Sequence, residues 1–481
     1  MIRRGKLNLI VLASAFIAVA TPAWVRAAGP VPAAAAAAPR LADADVKSLL
    51  RAIAGADLNG LRAGAFLRTD AQTLLSSSDP VRRAQGEAQL LEAAALYGQA
   101  LRGGRLAERD FRGDWHIRPA SYDVRADLAQ ALAAGRLDAW LTALAPPYDG
   151  YRALLPVLAR YRALAAQGGW ALLDTRKAIK AADQGDAVAA LRARLALEGF
   201  ASPPTLAPAL FDGGLQEALT RFQRARGLTP DGVAGRATLQ ALDVPAEARV
   251  AAIEANLERW RWAPRGLPPR RVEVNIAAAE LRGFDAGRPV VAMRTVVGRP
   301  ADPTPMFADQ IEAVVFNPPW NVPAGIAAKE ILPKARRDPS YLARQGFVFI
   351  GEGANRRLQQ KAGPTSALGL FKFDLPNPYS VFLHDTPVRS VFAADRRALS
   401  HGCVRLQQPR DLAIWALDAT PAWNAAAIDA AVASGATVSA RLAAPLPVLL
   451  YYWTAFVDDD GEVNFRDDIY GWDRDLNAAL R

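Results

Sequence analysis

The spacing of apolar residues changes period partway along this chain, and that switch limits what it can fold into. From residue 43 to about 175, apolar side chains recur three and four positions apart, as over 123–132, which is the spacing of one face of an α-helix. From Val272 onward they alternate instead. Val272-Glu273-Val274-Asn275-Ile276 has period two, 290–297 is rich in β-branched residues, and 311–316 and 381–383 read as further strands. One sheet or one bundle cannot satisfy both periods. The chain has 481 residues, enough for about three domains. The expected class is multidomain α+β: a helical N-terminal scaffold, a three-helix middle unit, and a mainly β C-terminal domain with inserted helices.

The N-terminus reads as an export signal over residues 1–27. Arg3, Arg4 and Lys6 form a basic start, 7–20 an apolar stretch, and Val25-Arg26-Ala27 a small-residue cleavage site. The stretch is shorter than the roughly 20 residues that span a bilayer as a helix; an uncleaved anchor is the alternative. No later segment is apolar enough for long enough, so no transmembrane span is expected in the mature chain, which is placed in the periplasm. An Ala/Pro-rich linker (28–42) leads into the helical domain (43–180), where Pro119, Pro146, Pro147 and Pro156 are expected to punctuate helices. His116, beside Trp115, reads there as a structural or surface histidine. A second linker (246–271), a β domain (272–472) and a C-terminal tail (473–481) complete the chain. The helices inserted in the β domain are expected to be interrupted by Pro333 and Pro339, and Asp460-Gly461 marks a hairpin. A net charge of +10 permits a nucleic-acid partner, but no dense Lys/Arg patch with interleaved aromatics is present, so none is expected.

The chain holds one Cys and three His, which excludes an internal disulfide framework and a four-thiolate zinc site. That Cys and two of the His fall within 20 residues, in His384-Asp385-Thr386-Pro387 and Ser400-His401-Gly402-Cys403-Val404-Arg405. A free thiol, with pKa about 8.5, becomes a good nucleophile when a nearby imidazole takes its proton. Gly402 permits a tight turn and close approach of substrate to backbone N–H groups. Those of Gly402 and Cys403 are candidate donors to the oxyanion formed when a carbonyl is attacked. His384 ends an apolar strand, a rigid place for a general base. Asp385 follows it directly and points to the opposite face, so a main-chain carbonyl is the better candidate to orient the imidazole. This set of groups suits acyl transfer through a thioester.

Within 184–245, Val188, Leu191, Leu195 and Leu197 mark one helix, and Phe222, Leu228, Val233 and Leu239 are expected in a small core. The series Ala218, Phe222-Gln223, Gly227-Leu228, Asp231-Gly232, Gly235 and Thr238-Leu239 resembles the peptidoglycan-binding domain of cell-wall enzymes. The later motif resembles the catalytic signature of the YkuD-type L,D-transpeptidases: a His, then after a gap Ser/Thr-His-Gly-Cys, with Asn or Arg two residues on. Further matches are to the long, Gram-negative type with inserted helices. They are 256–262, Thr304-Pro305-Met306-Phe307, Asn317-Pro318-Pro319-Trp320-Asn321-Val322-Pro323, Ala367-Leu368-Gly369, 373–377 and 465–471.

What the resemblance implies is a peptidoglycan enzyme without cofactor or metal. Cys403 would attack the carbonyl of the third residue of a tetrapeptide stem and release D-alanine. A second stem amine would then resolve the thioester into a 3→3 cross-link. His384 is the implied general acid and base, His401 and Gly402 shape the turn, and Arg405, Ser400, Trp320 and Asn317 are candidate substrate contacts. Arg405 is equally readable as a structural ion pair. Residues 323–363, with Lys329, Lys334, Arg336 and Arg337, resemble the family's lid. Implied partners are stem peptides, glycan and carbapenem-type β-lactams as acylating inhibitors. Phe382 departs from relatives that carry Tyr two residues before the histidine. The rivals are an L,D-carboxypeptidase or wall–protein attachment or detachment enzyme with the same nucleophile, a zinc hydrolase using His384, His401 and Cys403, and a non-catalytic wall-binding scaffold.

Overall fold

The computed structural model describes residues 41–481, apart from Asp174, Arg176 and the side chain of Ala354. The export signal and nearly all of the 28–42 linker lie outside the described residues. Helices α1 (Asp43–Ala54), α2 (Ala71–Leu75), α3 (Pro80–Gly103), α4 (Val124–Ala133), α5 (Leu137–Leu144) and α6 (Asp149–Ala166) build the N-terminal region. Their starts are set locally. Asp79 and Asp123 accept the N–H groups of Val81 and Ala126 at 2.8 and 3.0 Å, and Pro80 occupies the first turn of α3. Pro156 does not punctuate as expected; it lies inside α6. The stripe of Tyr151, Leu154, Leu158 and Tyr161 around it is wholly buried. That packing offsets the roughly 3 kcal/mol that an interior proline costs a helix.

Helices α7 (Asp186–Leu197), α8 (Gly213–Ala225) and α9 (Arg236–Leu242) form the middle unit around Val188, Leu191, Leu195, Leu215, Leu219, Phe222 and Leu239. Two core expectations change here. Leu197, at the last position of α7, is exposed, while Leu228 and Val233 are half-buried, the core place beside them being taken by Ala234. Leu173 and Ile179 pack into this core, and Ile179 and Ala234 exchange backbone hydrogen bonds of 3.3 and 2.8 Å.

The linker expected over 246–271 is, for its first part, helix α10 (Ala246–Trp262), buried on most sides. Several of its charged residues are paired in the interior. Arg261 Nη1 meets Glu258 Oε2 at 2.8 Å, and Arg259 Nη1 meets Asp473 Oδ1 at 2.5 Å. The Asn256 amide donates to Thr454 Oγ1 at 2.6 Å.

The β domain follows, with β1 (Arg271–Asn275), β2 (Glu280–Asp285), β3 (Arg288–Gly298), β4 (Phe307–Phe316) and β5 (Trp320–Asn321). The insertion then carries α11 (Ala324–Ile326), a π-turn (Ala327–Ile331), α12 (Leu332–Arg337), α13 (Tyr341–Arg344), β6 (Phe347–Ile350) and β7 (Arg357–Gln360). Pro333 sits in the first turn of α12 and does not interrupt the helical path from α11. The insertion has its own small core of Val322, Ala327, Ile331, Phe347 and Leu358. The remaining elements are β8 (Phe371–Asp374), β9 (Leu383–His384), β10 (Ala398–Ser400), β11 (Val404–Leu406), α14 (Pro409–Ala416), α15 (Ala425–Ala433), β12 (Val438–Tyr451), β13 (Ala455–Val457), β14 (Val463–Phe465) and α16 (Trp472–Ala479). Residues 473–481 are therefore mostly helix rather than tail, with Leu476 buried.

Nine strands run in the order β10-β3-β11-β9-β8-β4-β12-β1-β2, and β2 also pairs with β3, which closes the sheet on itself. Alternation sends Phe371, Phe373, Leu383, Val404 and Leu406 into the main core. Leu106, Trp115 and Ile117 of the helical region and Trp262 of α10 join that same core. Among the described residues, no helix is long and apolar enough to cross a membrane.

Candidate active site

The register of three neighbouring strands builds the site. In the parallel pair β9–β11, His384 lies opposite Arg405, and in the antiparallel pair β8–β9 it lies opposite Lys372. Paired residues project to one face. His384, Arg405 and Lys372 therefore share the face opposite the core, and Cys403, two residues before Arg405, belongs to it. Both His384 and Cys403 feel the charges of Arg405 and Lys372.

Cys403 is half-buried and follows Gly402, whose φ of 105° lies where side-chain-bearing residues rarely go. The thiol donates to Ser380 O at 3.7 Å. Burial pushes the thiol up, while the Phe382 backbone N–H and the charges of Arg405 and Lys372 pull it down. His384 is buried at 4% exposure. Its Nδ1 lies 2.5 Å from Asp385 O. A carbonyl only accepts, so Nδ1 carries the proton and Nε2 keeps its lone pair. Burial first, and then Arg405, push this imidazole down to about 4, against the pull of the Asp385 and Leu368 carbonyls. The resting pair is accordingly a neutral imidazole and a protonated thiol.

The carbonyl that meets the imidazole is thus a main-chain one, as the strand geometry requires. The Asp385 carboxylate faces away and accepts from Leu370 N–H at 2.9 Å and from Arg389 at 3.0 Å. Arg405 is half-buried, with Nε enclosed and unpartnered, and it has no ion pair among the described residues. The structural ion pair considered for it is not formed. Lys372 is balanced by Asp374 at 2.8 Å and lies 4.0 Å from the ring centroid of Phe382.

Several candidates take other places. Ser400 is buried, donates Oγ to Cys403 O at 2.5 Å and accepts from Gly402 N–H at 3.2 Å. It holds the turn and has no surface for substrate. The same bond engages the Gly402 N–H expected as an oxyanion donor and leaves the Cys403 N–H as the unpartnered one among the described residues. Asn317 is 2% exposed, and its amide donates to the carbonyls of Ala431, Val432 and Ala436 at 3.0–3.1 Å, closing the end of α15. It is no substrate contact. His401 Nε2 meets Glu330 Oε1 of the π-turn at 2.7 Å, tying the insertion to the turn that carries Cys403. Trp320 is half-buried and lines a cavity of about 280 Å³, together with Glu330, Lys334, Gln360, Thr386 and Arg405.

Sequence reasoning missed Lys372, Glu330 and Thr304 as parts of this site. Thr304 Oγ1 donates to Gly402 O at 2.7 Å and accepts from Gly298 N–H at 2.8 Å, so it braces the turn from below. Its place in Thr304-Pro305-Met306-Phe307 was visible; its partner was not. Among the described residues no three His, Cys, Asp or Glu side chains converge as a metal site requires.

Three family matches fall along this chain. Residues 269–423 match the YkuD family, described as the L,D-transpeptidase catalytic domain. Residues 184–242 match a peptidoglycan binding domain, and 20–158 a family described as a scaffold domain. A Haemophilus influenzae protein that bears L,D-transpeptidase as its provisional name is 34% identical over 223 residues, 43% of this chain and 45% of that protein. The match thus spans less than half the length of that relative. Among solved structures, an L,D-transpeptidase from Stackebrandtia nassauensis is 14% identical, covering 58% of this chain and 96% of its own, with a TM-score of 0.24. L,D-transpeptidase 3 from Mycobacterium tuberculosis, solved with a faropenem-derived adduct, is 12% identical over 38% of this chain and 60% of its own, with a TM-score of 0.19. Helices in the N-terminal region, a three-helix unit and a closed sheet bearing one thiol and one buried imidazole meet their sequence matches in order: this chain carries a YkuD-type L,D-transpeptidase catalytic domain preceded by a peptidoglycan-binding domain.

Proposed function

We propose that this chain is a peptidoglycan L,D-transpeptidase that forms 3→3 cross-links through a thioester on Cys403. The observation that carries the reading is the shared face of β8, β9 and β11, where the only thiol lies with a buried neutral imidazole and an unpaired guanidinium. In the first half-reaction His384 Nε2 takes the thiol proton as the sulfur attacks the stem carbonyl. The tetrahedral oxyanion is held by the Cys403 N–H. The C–N bond then breaks, and His384 returns the proton to the departing D-alanine amine. In the second half-reaction a stem amine attacks the thioester, His384 removes its extra proton, and the thiol leaves with that proton.

Arg405 gives this cycle an electrostatic trigger. It lines the cavity beneath the 323–363 insertion, read as the lid, and it lowers the basicity of His384. A stem carboxylate bound there neutralises the charge and makes the imidazole a better base at the moment substrate arrives. Glu330, Lys334 and Gln360 line the same cavity and suit a peptide carrying both amine and carboxylate groups. The peptidoglycan-binding domain would hold the enzyme on the wall, in the periplasm, after export through residues 1–27. Carbapenem-type β-lactams would acylate the same sulfur.

The second reading keeps the nucleophile and changes the acceptor: water for an L,D-carboxypeptidase, a protein amine for wall–protein attachment or detachment. Treating purified wall with the protein and separating the muropeptides distinguishes them. Dimers linked 3→3 that are absent with Cys403→Ser support transpeptidation. Tripeptide stems without dimers replace it with the carboxypeptidase, and no Cys403-dependent change in the wall rejects both.

A further inference from the structure

Cys403 is approached by one turn and one loop, and the helical N-terminal region touches the base of each. Trp115 bridges Met306 in parallel: Met306 N–H donates to Asp114 O at 2.8 Å, and His116 N–H to Met306 O at 2.7 Å. Two residues before Met306 stands Thr304, which holds Gly402 O. On the other side, the His116 ring stacks on Tyr379 at 4.0 Å and 23°, and Tyr379 packs on Phe307 at 5.0 Å. The next residue, Ser380, has φ 57°, an unusual value for a side-chain-bearing residue. It is held there by Asn377 Oδ1, which accepts the N–H groups of Tyr379 and Val381 at 3.0 and 3.2 Å. Ser380 O is the acceptor of the Cys403 thiol, Phe382 N–H acts on the same sulfur, and His384 ends the run.

Two neighbouring residues divide the work at this contact. Trp115 is 1% exposed and sits in the main core, so burial explains it. His116 is half-exposed, and among the described residues its ring stacks only on Tyr379. Packing does not account for an imidazole laid flat on that ring, whereas fixing the ring's orientation does.

We propose that the helical N-terminal region is a positioning element for the nucleophile. His116 fixes the Tyr379–Ser380 loop against Cys403, and the segment ending in it fixes the Gly402 turn through Met306 and Thr304. His116 is a positioning residue, acting through Tyr379, and touches neither substrate nor thiol. The inference rests on reading Cys403 as the nucleophile.

The test uses the full chain and two mass-resolved reactions of its only thiol: acylation by a carbapenem and alkylation by iodoacetamide across pH. His116→Ala is expected to slow acylation about fivefold, the factor one aromatic stacking contact supports. It is also expected to raise the pH midpoint of alkylation by about half a unit, as the Phe382 N–H loses its fixed place. His116→Phe keeps the stack and should restore both, with thermal midpoints showing that each variant is folded. Unchanged rate and midpoint in His116→Ala, or a His116→Phe variant as impaired as His116→Ala, overturns the proposal. Should the unaltered chain be alkylated but not acylated, the catalytic reading fails, and the alkylation series still decides whether His116 positions the sulfur.

Discussion

Two buried charge clusters in this molecule are built on opposite plans. Where the helical region, the three-helix unit, α10 and the β domain meet, Glu198 sits with no exposed side-chain area between Arg194 at 2.6 Å, Arg226, and Arg249 at 4.0 Å. Tyr161 donates to the same carboxylate at 3.0 Å. Burial alone would push Glu198 up, but the three guanidinium groups overrule it and hold the carboxyl at about 2. Around Cys403 the arrangement is reversed: Arg405 is present and, among the described residues, no anion pairs with it. The first cluster is complete within the chain and joins domains. The second lacks a negative charge, which in our reading the substrate brings. An internally balanced cluster serves the fold, and an unbalanced one beside a nucleophile points to a ligand.

The largest expected effect comes from breaking the balanced cluster. Glu198→Ala leaves three buried guanidinium groups without their counter-charge and should cost about 3–5 kcal/mol of stability. Urea unfolding measures this. The rate at which iodoacetamide alkylates Cys403, taken where the variant is still folded, should stay near that of the unaltered chain. A loss below about 1 kcal/mol would mean that the cluster is not the joint it looks to be.

This cluster also shows where the sequence is hard to read. The thiol and its imidazole were legible because they are chemically scarce: one Cys and two His in a short span leave few alternatives. Strand alternation located the orienting carbonyl for the same reason, since geometry decides it. Arg249, Glu258, Arg259 and Arg261 fall in the stretch read as a linker, yet they are buried, because their partners lie far along the chain where the sequence gives no sign of them. Glu258 accepts from Leu106 N–H, and Arg259 meets Asp473, contacts separated by 152 and 214 residues. Ser400 and Asn317 misled in a related way. Polar side chains beside a motif suggested substrate contacts, and only the folded chain shows their hydrogen bonds already made. His116 read as a bland histidine because Tyr379 is far from it in sequence.

The next effect tests the unbalanced site at its base. His384→Ala should lower the rate of carbapenem acylation at least about 10²-fold. In the unaltered chain the free enzyme's acylation rate should fall as pH drops through about 4, where the imidazole becomes charged. The same shift affects stability. The folded state holds His384 neutral down to about 4, whereas an unfolded chain takes up the proton near 6.5. Stability is therefore undiminished by this group above about 6.5 and declines as pH falls from there toward 4, by about 3 kcal/mol in all. An acid limb unaltered in His384→Ala would assign that limb to another group.

The smallest effect sharpens the comparison most, because it probes the missing charge. Arg405→Ala should raise KM for a tetrapeptide stem about tenfold, the cost of one charge-assisted contact at a partly exposed site. The same change removes the second-largest influence holding His384 down, after burial. The acid limb of acylation should therefore move to higher pH in the variant, with the imidazole now protonated more readily. The two readouts separate the roles of one guanidinium. A KM change without a shift in the limb makes Arg405 a substrate clamp alone, and a shift without a KM change makes it an electrostatic tuner that no carboxylate reaches. A stem lacking its free carboxylates supplies the control. If Arg405 waits for that charge, such a stem should bind the unaltered chain and Arg405→Ala equally, since there is then no anion for the guanidinium to meet.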